Sequence, residues 1–259
     1  KKYYASEIKP HAIKVSTHNY PDTIHLGDVT KWRDWNITDK IDLLLFGSPC
    51  QDFSRGNAVR DGLQGEKSGL FYVALEILRH YKPKYFLMEN VVMKHDQAQI
   101  ITYELGVYPV RINSDLLSAQ LRDRQYWTNI PGDDNSDFYG RTISQPKDKK
   151  IKLQDILTSG FADREKARCL LESDSRPLRT KEKMIHRYVD TGFTTLVFED
   201  LNDKLNSCRY LNQTELERCQ TVPEKYTSIL KRDDAACLLG DGWTIDIICH
   251  ILKELKQCN

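Results

Sequence analysis

Two kinds of hydrophobic pattern alternate along the chain. Short apolar runs bounded by turn residues read as strands: Tyr3 to Glu7, Thr23 to Asp28, Ile41 to Gly47, Lys84 to Met88, Val107 to Asn113 and Tyr126 to Ile130. Between them lie segments with helical spacing. Pro10 to Asn19 reads as a helix with Pro10 in its first turn, where a missing N–H costs nothing. Gly69 to Tyr81 is strongly amphipathic, with Ser68 as its N-cap, and Lys94 to Leu105 is a further helix. Strands alternating with helices predict an α/β fold with a doubly wound, mainly parallel sheet.

After Pro131 the pattern changes. Gly132 to Ser136 is a polar linker, and residues 141 to 207 are rich in charge and poor in long periodic runs. Two basic stretches stand out, Lys147, Lys149, Lys150 and Lys152, then Arg176, Arg179, Lys181, Lys183 and Arg187. We divide the chain into a larger domain, residues 1–132, and a small second domain of short strands, residues 133–231. A terminal segment, residues 232–259, returns to the first, its amphipathic run Thr244 to Leu255 packing back on the sheet.

Composition changes this picture little. Hydrophobic residues are 40% and charged residues 29%, ordinary for a globular protein. No apolar run approaches the roughly 20 residues that span a bilayer, and no signal-peptide pattern opens the chain. Seven cysteines without a CxxC pair argue against a disulfide framework and a structural zinc site, and for a reducing compartment. We therefore expect no metal and no membrane. The net charge of +1 does not announce nucleic acid, but a locally basic face remains open. The chain begins as a strand already under way, without an initiator methionine. A missing upstream segment, or a second chain, is expected to complete it.

The candidate chemistry gathers at strand ends, where ligands bind in open α/β sheets. Gly47-Ser48-Pro49-Cys50-Gln51 follows an apolar strand that Pro49 ends, which leaves Cys50 on a turn ahead of a glycine-containing loop. A thiol there is a candidate nucleophile; the bland alternative is a small buried hydrophobe. Glu7, Asp28 and Glu89 lie just past predicted strands. Glu7 fits a ribose-binding acid and Asp28 an adenine contact, though each alone could be a helix cap or a solvated charge. Glu89 belongs to the strand beside the one that delivers Cys50. A carboxylate there opposes thiolate formation, so it makes sense as an acid acting on the substrate, donating a proton to a ring nitrogen while the thiolate attacks. Gln120, Arg122 and Arg124 share one side of an extended segment and suit an anion or a carbonyl oxygen; surface pairing with Asp115 or Asp123 is the alternative.

In order and spacing, Pro49-Cys50-Gln51, Glu89-Asn90-Val91 and Gln120-x-Arg122-x-Arg124 resemble the cytosine-5 DNA methyltransferase family. Downstream, Arg209-x-Leu211, Glu215, Arg218-x-Gln220 and Pro223-x-x-Tyr226 look like the segment after that family's target-recognition region, and Leu239 to Thr244 like its last motif. Tyr4 to Glu7 and Gly27-Asp28-Val29 are similar to its two early cofactor motifs. The resemblance covers nearly the whole chain and is to phage or bacterial enzymes, distantly to the vertebrate de novo methyltransferases. It implies a Rossmann-like fold that uses S-adenosyl-L-methionine, with a small target-recognition domain at residues 133–231. The first strand and a Phe- and Gly-containing turn of the family are absent, and Asp241 stands where the family usually has Asn.

What the resemblance implies for residues is specific. Cys50 would add to carbon 6 of a cytosine flipped out of double-stranded DNA, Glu89 would contact its ring nitrogen 3 and amino group, and Arg122 and Arg124 would hold the carbonyl and backbone. Gln51, Ser54, Arg55, Arg60, Asn90 and Gln120 would contact substrate, with Asp52 to Ser68 as a closing loop. Glu7, Ile8, Asp28, Val29, Pro49, Asp241 and Trp243 would line the cofactor site. The compartment would be the cytoplasm of a bacterial or phage-infected cell, or the nucleus in a eukaryote. Two other readings share these motifs, an RNA cytosine-5 methyltransferase and a non-catalytic DNA-binding paralogue. A thiol hydrolase lacks a histidine placed by any motif beside Cys50.

Overall fold

The structure is a computed structural model. It describes residues 1–48, 69–132, 143–190, 192, 194–253 and 255, and the backbone of 136–137 and 140–141. The expected nucleophile and loop residues Pro49, Cys50, Gln51, Ser54, Arg55 and Arg60, and the N-cap Ser68, lie outside these residues.

The chain begins with β1 (Tyr4–Ala5), α1 (Pro10–Asn19), β2 (Ile24–His25) and β3 (Leu43–Gly47). Then come α2 (Gly69–Tyr81), β4 (Tyr85–Val91), α3 (His95–Leu105), β5 (Pro109–Asn113) and β6 (Asp123–Thr128). Beyond the short pair β7 (Ser136–Asp137) and β8 (Gly140–Arg141) lie α4 (Leu153–Ile156), α5 (Lys181–Asp190), β9 (Leu196–Phe198), α6 (Lys204–Ser207) and β10 (Cys208–Tyr210). The last elements are α7 (Gln213–Cys219), α8 (Arg232–Asp241) and α9 (Ile245–Leu252).

The main sheet has the order β3-β4-β6-β5. β3 and β4 run parallel, whereas β6 is antiparallel to both of its neighbours. The reason is the connection from β5 to β6. It contains only a short 3-10 turn, Ser114–Leu116, and no crossover helix, while a parallel return needs a dozen or more residues. The strand expected at Tyr126 to Ile130 instead starts at Asp123, because Arg124 pairs with Val91 on one side and Ile112 on the other. Arg124 thereby enters the sheet.

Side chains alternate across this sheet as the pleat requires. Leu87 and Tyr126 join Ile247, Ile248 and Ile251 of α9 in one core. Met88 and Trp127 join Phe71, Leu75, Ala98 and Ile101 of α2 and α3 in another, on the opposite face. The three-layer arrangement expected from the alternating pattern is therefore present. β1 and β2 form a separate parallel pair, each shorter than the run that predicted it. Gly27, at φ 74°, makes the left-handed turn after β2 that a side chain would resist.

Residues 143–231 hold the expected kind of short strand, β9 and β10, and helices beside them. β9 and β10 pair antiparallel. Leu153, Ala167, Leu170, Val197, Leu211, Leu216 and Cys219 share one core with Ala119, from the β5–β6 connection, and with Ala236 and Leu239 of α8. Gly240 permits the closest approach. A Cβ built there would come within 2.5–2.7 Å of the backbone of Leu171 and Glu172. The stretch Arg232–Leu252 is, against expectation, long and apolar enough for a membrane span by length and composition. The chain breaks it into two helices at residues 242–244, and Ile247, Ile248 and Ile251 are buried in the protein core.

Candidate active site

The carboxyl ends of β3 and β4 meet in register, Gly47 beside Glu89. A Cβ at Gly47 would lie 3.6 Å from the Glu89 carboxylate and 3.6 Å from the indole nitrogen of Trp243. Gly47, Glu89 and Trp243 thus meet at the carboxyl ends of these two strands. Ser48, the last described residue before Cys50, is held there: the Asn90 amide donates to its hydroxyl at 2.8 Å. Asn90 is buried, and its own oxygen accepts the Val91 N–H.

Glu89 is 8% exposed. Arg124 Nε donates to its Oε1 at 2.9 Å, with both side chains about nine-tenths buried. An Nη of Arg124 donates to the Asp123 carbonyl, so the guanidinium plane is fixed at two points. Tyr126, opposite Glu89 in the ladder, is buried; burial first, then the Glu89 charge, pushes its phenol well above its ordinary range. It is a neutral wall of the site. A carboxylate and a guanidinium side by side at a sheet edge match a heterocycle that offers an amino group, a ring nitrogen and a carbonyl along one side.

Arg122 and Gln120 are placed differently from Arg124. The Arg122 guanidinium is buried, with one Nη donating to Leu170 O (3.1 Å) and Cys169 Sγ (3.3 Å). The other Nη donates to Gly240 O (3.2 Å) and Gly242 O (2.8 Å), while Nε has no partner. Gln120 is fully buried. Its amide nitrogen donates to Cys219 O and Gln220 Oε1, each at 2.8 Å, and its oxygen accepts from Leu170 N–H. The Thr244 hydroxyl also donates to Gln220 Oε1, and the Gln220 amide reaches Leu239 O at 2.5 Å. These two residues pin together three stretches that are remote in sequence. The shared side read from their spacing is correct for neither as a surface.

On the other expected half, Glu7 and Asp28 follow the paired strands β1 and β2. Glu7 Oε1 accepts the N–H groups of Ile8 and Lys9, and Asp28 accepts the N–H and hydroxyl of Thr30. Those bonds from Thr30 hold the Asp28 carboxyl below its ordinary range. Asp28 caps the short 3-10 helix Val29–Asp34, the alternative that its position in the sequence left open. Ile8 is exposed. Asp241 forms an ion pair with Lys9, two residues beyond Glu7, which ties the end of α8 to this edge. Two carboxylates at adjacent strand ends are the acceptor type that ribose hydroxyls and an adenine amino group need.

Sequence reasoning missed Cys169 and Lys9, whose local pattern carries no signal, and it placed Gln220 in a motif without a role. Among the described residues, no group of three or more His, Cys, Asp and Glu could hold a metal ion. Several residues of the basic stretches are engaged within the protein: Lys149 with Asp246, Lys152 with Glu165 and Arg176 with Glu172. Lys147, Lys150, Arg179 and Lys183 are exposed.

Residues 1–169 match the family model of the C-5 cytosine-specific DNA methylases. The Type II methyltransferase M.NlaIV of Neisseria lactamica is 43% identical over 96 residues, which cover 36% of this chain and 22% of that protein. The Type II methyltransferase M.DsaV of Dactylococcopsis salina is 26% identical over 285 residues, 97% of this chain and 78% of that protein. The orphan methyltransferase M.SPRI of Bacillus phage SPR is 30% identical over 240 residues, 85% of this chain and 51% of that protein. The chain thus spans about a fifth of M.NlaIV and half of M.SPRI. Among solved structures, the S. pombe Dnmt2 methyltransferase superposes with a TM-score of 0.68 at 18% identity, covering 100% of this chain and 92% of that one. The Entamoeba histolytica methyltransferase EhMeth gives 0.67 at 14% identity, with coverage of 98% and 89%. At these identities the likeness is one of fold.

Proposed function

The chain belongs to the C-5 cytosine-specific DNA methylase family, and from that premise we propose that it transfers a methyl group from S-adenosyl-L-methionine to carbon 5 of a cytosine flipped out of duplex DNA. The observation that carries this reading is the buried Glu89–Arg124 pair, set at the strand ends beside Ser48, two residues before Cys50. In the reaction the Cys50 sulfur bonds to carbon 6, and the electron pair of the 5,6 double bond moves toward carbon 5 and the ring. Glu89, as the acid, donates its proton to ring nitrogen 3 and accepts from the amino group, and Arg124 faces the carbonyl, so the negative charge that builds on the ring meets fixed donors. After methylation a base takes the carbon 5 proton, the electron pair of that C–H bond re-forms the 5,6 double bond, and the bond from carbon 6 to sulfur breaks to release Cys50 as the thiolate.

The cofactor supplies an electrophilic methyl group when bound. Glu7 would take its ribose hydroxyls, Ile8, Asp28 and Val29 its adenine, and Pro49, Asp241 and Trp243 would lie toward its methionine end. Gln51, Ser54, Arg55 and Arg60 remain the candidates for contact with DNA. Asn90 holds the turn before Cys50, and we assign Gln120 and Arg122 to positioning, since their polar groups are committed to buried partners. Residues 133–231 serve as the target-recognition region. A further strand belongs between β1 and β3, supplied by an upstream segment or a second chain. Its support is that, among the described residues, β1 pairs only with β2 and β3 only with β4. The setting is the cytoplasm of a bacterial or phage-infected cell.

The test is transfer of tritiated methyl groups to duplex DNA and to transfer RNA, with trapping on duplex DNA that contains 5-fluorocytosine. We expect labelled DNA and a covalent adduct that Cys50→Ser abolishes. Label in RNA alone would overturn the DNA reading, and no adduct from the native chain would favour a non-catalytic DNA-binding role.

A further inference from the structure

Cys169 has no part in the chemistry above, yet its sulfur touches both arginines of the site. Sγ accepts from Arg122 Nη1 at 3.3 Å and from Arg124 Nη2 at 3.6 Å, and lies 3.5 Å from Leu170 O, to which the thiol donates. The same Arg124 guanidinium bonds Glu89 through Nε. The thiol therefore sits one residue away from the carboxylate of the proposed base pocket.

The segment that carries Cys169 is fastened on both sides. Toward the sheet, Ala167 N–H donates to Ala119 O (2.7 Å) and Leu121 N–H to Ala167 O (2.9 Å), while Leu170 N–H donates to Gln120 Oε1 (3.2 Å). Toward the recognition region, Arg168 N–H donates to the Thr195 hydroxyl at 2.8 Å. Thr195 and Arg124 are thus joined through one short piece of backbone and the Cys169 sulfur.

We infer that Cys169 is a positioning residue of the recognition region: its sulfur adds a third point, on Nη2, to the Glu89 and Asp123 contacts that orient Arg124, and so ties that orientation to residues 133–231. The inference rests on the reading of Glu89 and Arg124 as the base pocket. The choice of sulfur has a physical reason. A thiol is a weak, diffuse acceptor. It orients two guanidiniums without neutralising them. A carboxylate at the same place would form charge-assisted bonds about twice as strong and draw Arg124 away from Glu89. Arg122, buried with its Nε unpartnered, adds a second positive charge beside the sulfur, and the thiol leaves that charge in force.

The experiment is steady-state methyl transfer to duplex DNA by the full-length native protein and by Cys169→Ala, Cys169→Ser and Cys50→Ser, with thermal unfolding of each. Cys169→Ala should lower kcat between about tenfold and a hundredfold, as expected when a reacting geometry slips by an ångström. KM for DNA should stay within about twofold, the mark of an interaction that acts in the transition state. Cys169→Ser, whose hydroxyl accepts the same N–H groups, should recover most of the rate. An unchanged kcat in Cys169→Ala overturns the inference, as does an equal loss in Cys169→Ser or a change confined to KM. A native chain without transfer, or a Cys50→Ser chain that keeps it, removes the pocket reading and the inference with it; either is recognised without reference to the Cys169 variants.

Discussion

Glu89 and Arg124 face each other with little water between them, and that sets what each can be changed to. Removing either partner leaves a buried charge alone, which costs more than the pair contributes. Glu89→Gln is the informative change, since the amide oxygen keeps a bond from Arg124 while the acid is lost. Single-turnover transfer should fall by about 10²–10⁴-fold, the usual worth of a positioned acid or base, and thermal unfolding should drop less than in Glu89→Ala, which loses the bond as well as the charge. Arg122 calls for the opposite expectation. Its donors serve the carbonyls of Leu170, Gly240 and Gly242. Arg122→Met orphans these acceptors, and urea titration should show a loss of about 3 kcal/mol or more. Of the two arginines, the spacing Gln120-x-Arg122-x-Arg124 marked both as equals. Their different surroundings come from what packs on them, the 169–170 segment and the turn after α8, which are remote in sequence.

At the scale of elements, α8 and its turn carry the joint between sheet and recognition region. Gly240 lets the helix lie against the backbone of Leu171 and Glu172, and the obstacle to any larger residue is main chain, which cannot swing aside. Gly240→Ala should therefore destabilise by about 1–3 kcal/mol, the usual cost of overpacking, read by the midpoint of chemical unfolding. α7 supplies a second test. Glu215, fully buried, caps this helix with Asn212 and binds Arg209 and Thr158. Burial alone would raise its pKa, but the bonds from Arg209 and from the Thr158 and Asn212 N–H groups outweigh it, holding the carboxyl below its ordinary value of 4.5. A folded-state pKa below the unfolded one means that stability is present in full above about 4.5 and is lost as pH falls through the folded value. Unfolding free energy measured on the acid side should fall with pH in the native protein, and Glu215→Gln should flatten that part of the curve.

For the whole molecule, long periodic runs were the most readable. α2 keeps its expected bounds, and β3, β4 and β5 lie where apolar runs placed them. The weak points were of two kinds. β1 and β2 shrink to two paired residues each, because strand length is set by the partner and not by the run itself. The direction of β6 was not readable either; it follows from the loop before it, whose shortness forces an antiparallel return. The division at residue 132 also looked cleaner in sequence than in space, since Ala119 and α8 share a core with residues 153 to 219.

The family, the α/β alternation and the order of Cys50, Glu89 and Arg124 are legible in the chain alone, because periodicity and motif spacing are local properties that survive without a partner. Packing alone sets that Arg124 pairs with Glu89, that Arg122 and Gln120 are buried fasteners, and that the Cys169 sulfur meets both arginines. Those roles depend on contacts between segments that lie far apart in the chain, and no local pattern carries them.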